Sequence, residues 1–272
     1  MITARRALIL EELGLLPRWV PRANARNAVE LPESNGGAAL PRAPVPRAVR
    51  AEEPASSDAA LRTPAHPTTN GETDTAQRVA RMSWPDLKQA VRSCTACPLH
   101  ANRKQTVFGV GDEQADWLFV GEGPGAEEDA RGEPFVGQAG KLLDNMLAAI
   151  GIKRGNDVYI ANIVKCRPPG NRVPEAAEAA RCEPFLMRQI ALIQPKMIVA
   201  LGKTAASNLL GTEASIGSLR GRLHDFHGTA LLVTYHPAYL LRNLPDKAKA
   251  WEDLCLARDS MQRLKSAQAA PK

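Results

Sequence analysis

The sequence predicts an α/β class fold, a three-layer α/β/α sandwich on a four-stranded parallel sheet, preceded by a disordered N-terminal arm. Three observations predict it. Four short, nearly continuous apolar runs, at 117–120, 158–163, 197–201 and 231–235, have the make-up of strands buried on both faces. Helical stretches at 139–150, 174–193 and 204–210 separate the runs, and another at 246–264 follows the last; strands alternating with helices give parallel pairing and right-handed crossovers. The residues of least ordinary chemistry fall just beyond the runs, where open parallel sheets bind ligands.

Taken in chain order, residues 3–20 carry Leu8, Leu10, Leu13 and Leu16 roughly on one helical face. They read either as a helix resting on the domain or as a partner-binding motif on a tether. Glu11 and Glu12 argue against a targeting peptide. Residues 21–83 contain no Phe, Trp or Tyr and are rich in Pro, Ala, Arg and Ser. Such a stretch cannot bury enough apolar surface to offset its ordering entropy, so a disordered linker is expected. The globular domain is expected over 84–265, opening with a short helix at 84–92, and 266–272 as a disordered tail. Pro174 suits the first turn of the helix it opens.

The chain has 35 Lys and Arg against 29 Asp and Glu, a net charge of +6 that is compatible with a polyanionic partner without specifying one. No apolar run approaches the roughly 20 residues that span a bilayer, which excludes a membrane helix. Five cysteines, an odd number, without a secretory apolar region, argue against a disulfide framework and for a reducing, cytoplasmic setting.

At the strand ends, the first run is followed by Gly121-Glu122-Gly123-Pro124-Gly125. This is neither a Walker A loop nor GxGxxG, and its glycines let backbone N–H groups approach a ligand closely. The acids Glu127, Glu128 and Asp129 follow, which would repel a phosphate and suit a neutral ligand. Phe135 stands between Pro134 and Val136, and Gly137-Gln138 opens a helix whose N–H groups are expected to receive a DNA phosphate. Asn162 ends the second run, and Gly202-Lys203-Thr204 follow the third. His236-Pro237 ends the fourth, followed by Tyr239-Leu240-Leu241-Arg242, apolar residues beside an arginine that resemble a wedge for a base stack.

Cys94 and Cys97 form a Cys-x-x-Cys turn, while Cys166 and Cys182 flank a Pro/Gly loop and a helix start. Four thiolates of this kind hold either a structural zinc or a [4Fe–4S] cluster, and spacing alone leaves both open. Cys255 lies mid-helix and reads as a core thiol.

Together, Cys94-x-x-Cys97-Pro98-Leu99, Gly121-Glu-Gly-Pro-Gly125, Pro134-Phe-Val-Gly137, Ile160-Ala-Asn-Ile-Val-Lys-Cys-Arg-Pro-Pro169 and His236-Pro-Ala-Tyr-Leu-Leu-Arg242 resemble family 4 (iron–sulfur) uracil-DNA glycosylases, from about residue 82 to 264. The resemblance implies a DNA repair enzyme that hydrolyses the N-glycosidic bond of deoxyuridine in single- or double-stranded DNA, working as a monomer on a base flipped from the stack. It implies a [4Fe–4S] cluster on Cys94, Cys97, Cys166 and Cys182. Phe135 would stack on uracil, Asn162 would read its edge, Glu128 would line the pocket near C5, and Gly121 and Gly123 would bring backbone against the base. His236 would donate to uracil O2, and Glu122 would orient the attacking water. Leu240 would fill the vacated stack, and Gln138, Lys165 and Arg242 would touch DNA. A neighbouring branch forms a covalent adduct through a histidine in a basic insertion after the second strand. The loop here, 167–174, has no histidine and no long insertion, so ordinary turnover is expected. Competing readings are a same-fold glycosylase for other deaminated bases such as hypoxanthine or xanthine, a non-catalytic DNA-binding module, and an iron–sulfur redox protein.

Overall fold

The computed structural model describes residues 70–269; the expectations for 1–69 and 270–272 lie outside them. In chain order the elements are α1 (Asn70–Val79), α2 (Trp84–Arg92), β1 (Val110–Gly111), β2 (Trp117–Gly121), α3 (Ala126–Arg131), α4 (Gln138–Ala149), β3 (Val158–Asn162), α5 (Ala176–Ile193), β4 (Met197–Leu201), α6 (Lys203–Leu210), α7 (Ile216–Leu219), β5 (Leu223–Phe226), β6 (Thr229–Thr234), α8 (Pro237–Leu240) and α9 (Lys247–Ala269).

The sheet has six strands in the order β1-β3-β2-β4-β6-β5. Its four central strands, β3, β2, β4 and β6, are mutually parallel and coincide with the four apolar runs. The expected four-stranded parallel sheet is therefore corrected to a six-stranded mixed one, because β1 and β5 pair antiparallel at the two edges. Neither edge announces itself as an apolar run. β1 is two residues long, and β5 reads Leu-His-Asp-Phe with only its last residue buried. The turn from β5 to β6 was nonetheless encoded: His227 (φ 49°) and Gly228 (φ 84°) supply the paired positive φ that a two-residue hairpin needs.

Every residue of β2, β3 and β4 is buried, which explains why their sequences are continuous rather than alternating. The alternation instead sorts side chains between two cores. Leu118, Val120, Tyr159, Ala161, Ile198, Ala200, Leu231 and Val233 face one way, against α2, α5 and α6. Trp117, Phe119, Val158, Ile160, Met197, Val199 and Leu232 face the other, against α4, α8 and α9.

Two boundaries differ from expectation. Residues 70–83 were placed in the linker, yet 70–79 form α1, whose Val79 is buried in the first core, and Met82 packs beside it with its carbonyl accepting from Arg188 Nε at 2.7 Å. One well-placed valine anchors a segment whose composition otherwise reads as unfolded. At the other end α9 runs to Ala269, past the expected boundary at 265. No described helix is long and apolar enough to cross a membrane.

Candidate active site

The carboxyl ends of the parallel strands bring the predicted site residues together. Gly121 and Asn162 are register partners on adjacent strands. Only a glycine fits at 121: a Cβ there would lie 2.5 Å from Asn162 Oδ1 and 2.5 Å from Phe135 Cζ. The Asn162 amide, the Phe135 ring and the Gly121 backbone thus form one packed wall. Phe135 also faces His236, with ring centroids 5.5 Å apart at an interplanar angle of 31°. Gly202 (φ 90°) passes so close behind His236 that a Cβ would sit 2.9 Å from the histidine Cβ.

His236 caps α8, and its Nδ1 accepts the Ala238 amide at 3.1 Å. An accepting Nδ1 puts the proton on Nε2, so the other edge of the ring is a donor. Desolvation of the ring, helped by the nearby Arg242 charge and opposed by Glu128, lowers its pKa to about 4. His236 is therefore neutral at physiological pH. Glu122 is half-buried after β2, and its Oε2 accepts from Thr204 Oγ1 at 2.6 Å.

Glu128 and the loop around Phe135 depart from the sequence reading. The carboxylate of Glu128 accepts from Val136 N at 3.0 Å, Gly137 N at 3.0 Å and Gly125 N at 3.1 Å. It staples the glycine loop to the Phe135 loop instead of presenting itself to a ligand. The amides of 136, 137 and 125 are thereby engaged and are not donors to a phosphate. Phe135 adopts φ 55°, an uncommon conformation for a bulky residue. Arg154 supports it from the turn between α4 and β3, donating to Pro134 O and Phe135 O at 2.9 Å each while pairing with Asp144 at 2.9 Å. Gly140 is required behind it, since a Cβ there would overlap the Phe135 carbonyl. Sequence reasoning misses Arg154, which no local motif marks; it places Thr204 at a strand end without its bond to Glu122.

Of the residues expected to touch DNA, Gln138 at the start of α4 and Arg242 after α8 are exposed. The other two are not. Leu240 is 1 % exposed because α8 turns it inward onto Leu142, Met146 and Leu254, whereas its neighbour Leu241 is 42 % exposed. Lys165 is 1 % exposed, and its Nζ donates to Gln189 Oε1 at 2.6 Å and to Asn162 O at 2.8 Å. Burial lowers its pKa to about 8.

Cys94, Cys97, Cys166 and Cys182 line a single cavity with Val91, Phe185, Arg103 and Lys165, while Cys255 on α9 is not part of it. Arg103 Nη1 donates to Cys166 Sγ at 3.0 Å, and Lys165 N donates to Cys182 Sγ at 3.3 Å. Burial raises the Cys97 and Cys166 thiols and pushes Cys182 up to about 12. Among the described residues no three His, Cys, Asp or Glu side chains converge as ligands on one metal ion.

Comparison with known proteins shows the family of the chain. The model of the Uracil DNA glycosylase superfamily matches residues 108–255. The type-4 uracil-DNA glycosylase of Thermotoga maritima is 52 % identical over 159 residues, covering 58 % of this chain and 82 % of the relative. That of Archaeoglobus fulgidus is 44 % identical over 167 residues, covering 58 % and 83 %. That of Pyrobaculum aerophilum is 40 % identical over 183 residues, covering 64 % and 93 %.

Proposed function

Because this chain belongs to the type-4 uracil-DNA glycosylases and excises uracil from DNA, we propose that the wall formed by Gly121, Phe135, Asn162 and His236 is its uracil pocket. Phe135 gives the flipped base a stacking platform. The Asn162 amide offers a donor to uracil O4 and an acceptor to N3–H; cytosine presents the reverse pattern and is refused. His236 Nε2–H donates to uracil O2 as negative charge grows on the departing base. A neutral donor held in one tautomer stabilises that charge without first reorganising, which makes such groups large contributors to rate. The tautomer, fixed by Ala238 N on Nδ1, is the observation that carries this reading.

Glu122, held through Oε2 by Thr204, orients the attacking water with its other oxygen. Glu128 shapes the pocket from behind by fixing the Phe135 loop and does not exclude thymine directly. Leu241, exposed beside Arg242, is the better wedge for the vacated stack than buried Leu240. Gln138 and Arg242 contact the DNA backbone.

We further propose that Cys94, Cys97, Cys166 and Cys182 hold a [4Fe–4S] cluster, which ties the segment before β1 to the loop after β3. The residues fit such a group. Four thiols surround one cavity rather than meeting at a point, which suits a body that takes one thiolate at each of four irons. Two N–H donors aim at the sulfurs. Thiols that burial keeps protonated lose their protons on binding metal. The cluster's contribution is structural, and no chemical step is assigned to it.

The function is tested by uracil release from an oligonucleotide with one dU, against dT, dC and dI controls with EDTA present. Release at dU alone is expected. Comparable release at dI would widen the substrate class, and intact protein inert on every base would sink the pocket assignment. Iron and acid-labile sulfide in equal amounts are expected in purified protein; zinc in their place would overturn the cofactor.

A further inference from the structure

We propose that Lys165 is the buried counter-charge of the group held by the four cysteines and the positioning residue that links that group to the base-reading end of β3. This rests on the cofactor reading above.

Lys165 is 1 % exposed, and its ammonium donates to neutral oxygens: the backbone carbonyl of Asn162 at 2.8 Å and Gln189 Oε1 at 2.6 Å. Among the described residues no carboxylate pairs with it. An ammonium taken out of water persists where an opposite charge offsets its desolvation, and hydrogen bonds to neutral carbonyls do not supply that charge. The cavity wall adds two further cations, Arg103 and Arg181, and no carboxylate. Arg103 donates to Cys166 Sγ at 3.0 Å and to Cys94 O at 2.8 Å. The carboxylate nearest the thiols in effect, Glu178, is engaged by both arms of Arg172 at 2.7 and 2.8 Å and by Glu175 N. The cysteine cavity therefore carries a cationic surplus that its own side chains do not balance. An iron–sulfur cube with four thiolates, net negative, balances it.

The same residue reaches the pocket. Its backbone N donates to Cys182 Sγ at 3.3 Å, and its Nζ holds the carbonyl of Asn162, whose amide forms the pocket wall. Gln189, fully buried on α5, fixes the ammonium from the other side: its Nε2 donates to Phe108 O at 2.9 Å, so its Oε1 must face Lys165. A cation pinned between cluster and Asn162 makes the placement of that asparagine depend on what the cysteines hold.

The test uses the full-length protein purified without oxygen, as wild type, K165M and Q189E. K165M removes the charge at nearly constant length. Q189E leaves Lys165 in place and gives it a competing carboxylate, so it reads the same charge balance should K165M fail to fold. Measured are iron and sulfide content, the cluster's reduction potential by dye-mediated titration, its bleaching rate in air, and single-turnover uracil excision. In both variants the potential is expected to move negative and bleaching to quicken several-fold, and in K165M excision should fall roughly 10- to 100-fold, as for other outer-shell partners of metal ligands. A purely structural lysine would lower thermal stability without moving the potential. Wild type with a full cluster but unchanged potential and bleaching in either variant overturns the counter-charge role and leaves the cofactor standing. Wild type without iron and sulfide overturns the cofactor, and this inference with it.

Discussion

Asn162 and Cys166 are four residues apart on one chain segment, yet they belong to regions of opposite construction. The pocket on the Asn162 side is assembled from neutral or internally engaged groups. His236 is uncharged with its Nδ1 taken, Glu128 is satisfied by three amides, and Glu122 is held by Thr204. The cavity on the Cys166 side is lined by four thiols and three cations, Arg103, Lys165 and Arg181, with no carboxylate in its wall. A neutral base can be read by polypeptide alone, whereas the cluster proposed for the cysteine cavity would bring a charge that its lining lacks. The contrast shows how one strand end can serve recognition and fold stability with groups of different charge, joined through Lys165.

The comparison breaks most readily at His236. If the neutral imidazole is the main stabiliser of the departing base, His236→Ala should lower the single-turnover rate about 10²- to 10³-fold. The variant should still fold, with stability lowered by about 1 kcal/mol through loss of the α8 cap. A variant that lost both activity and fold would place His236 among the supports rather than the chemistry.

The next largest effect separates two adjacent leucines. Leu240→Ala removes a side chain packed on Leu142, Met146 and Leu254 and should cost about 2–5 kcal/mol of stability by urea unfolding. Leu241→Ala should leave stability within about 0.5 kcal/mol, as exposed substitutions do. It should slow excision from duplex more than from single-stranded DNA, where no stack has to be filled. Equal loss on both substrates would remove Leu241 as the wedge.

Glu128→Gln sharpens the account of the pocket's rear wall. An amide in place of the carboxylate keeps one acceptor and turns a donor toward backbone N–H groups. It should destabilise by about 1–3 kcal/mol and lower kcat/KM for dU, with no gain on dT. New activity on dT with unchanged stability would restore Glu128 to the pocket lining that the family resemblance implied.

These cases also mark what the sequence could and could not reveal. The central strands were legible because burial on both faces writes itself as an unbroken apolar run. The edges were not, since Leu223-His-Asp-Phe226 carries no such mark. The identities at the site were legible from motifs at the strand ends. Their relations were not: whether Glu128 faces ligand or backbone is decided by where residues 136 and 137 return, and Arg154 supports Phe135 from 19 residues away. Lys165 misled for a physical reason. Lysine is among the residues least often buried, so a lysine beside an arginine loop reads as a phosphate contact. The partners that hold it inside are a glutamine 24 residues on and thiols whose joint cavity exists only in the fold.

The last effect is the dependence on pH, and it has two readouts with one origin. His236 titrates near 6.5 when unfolded and near 4 in the fold. Between these values the unfolded chain binds the proton and the folded one does not, so this residue's contribution to stability is complete above about 6.5 and is lost as pH falls toward 4. His236→Asn, which cannot titrate, should flatten that part of the stability curve. The rate of the native enzyme should stay level on lowering the pH through 6.5, because the folded imidazole remains neutral there. It should fall only on approaching 4, where protonation at Nδ1 breaks the bond from Ala238 N and frees the ring from its cap. A decline centred on 6.5 would mean that the ring is solvated in the working enzyme. The pocket would then differ from the cysteine cavity in composition alone, and not in the neutrality by which it reads a base.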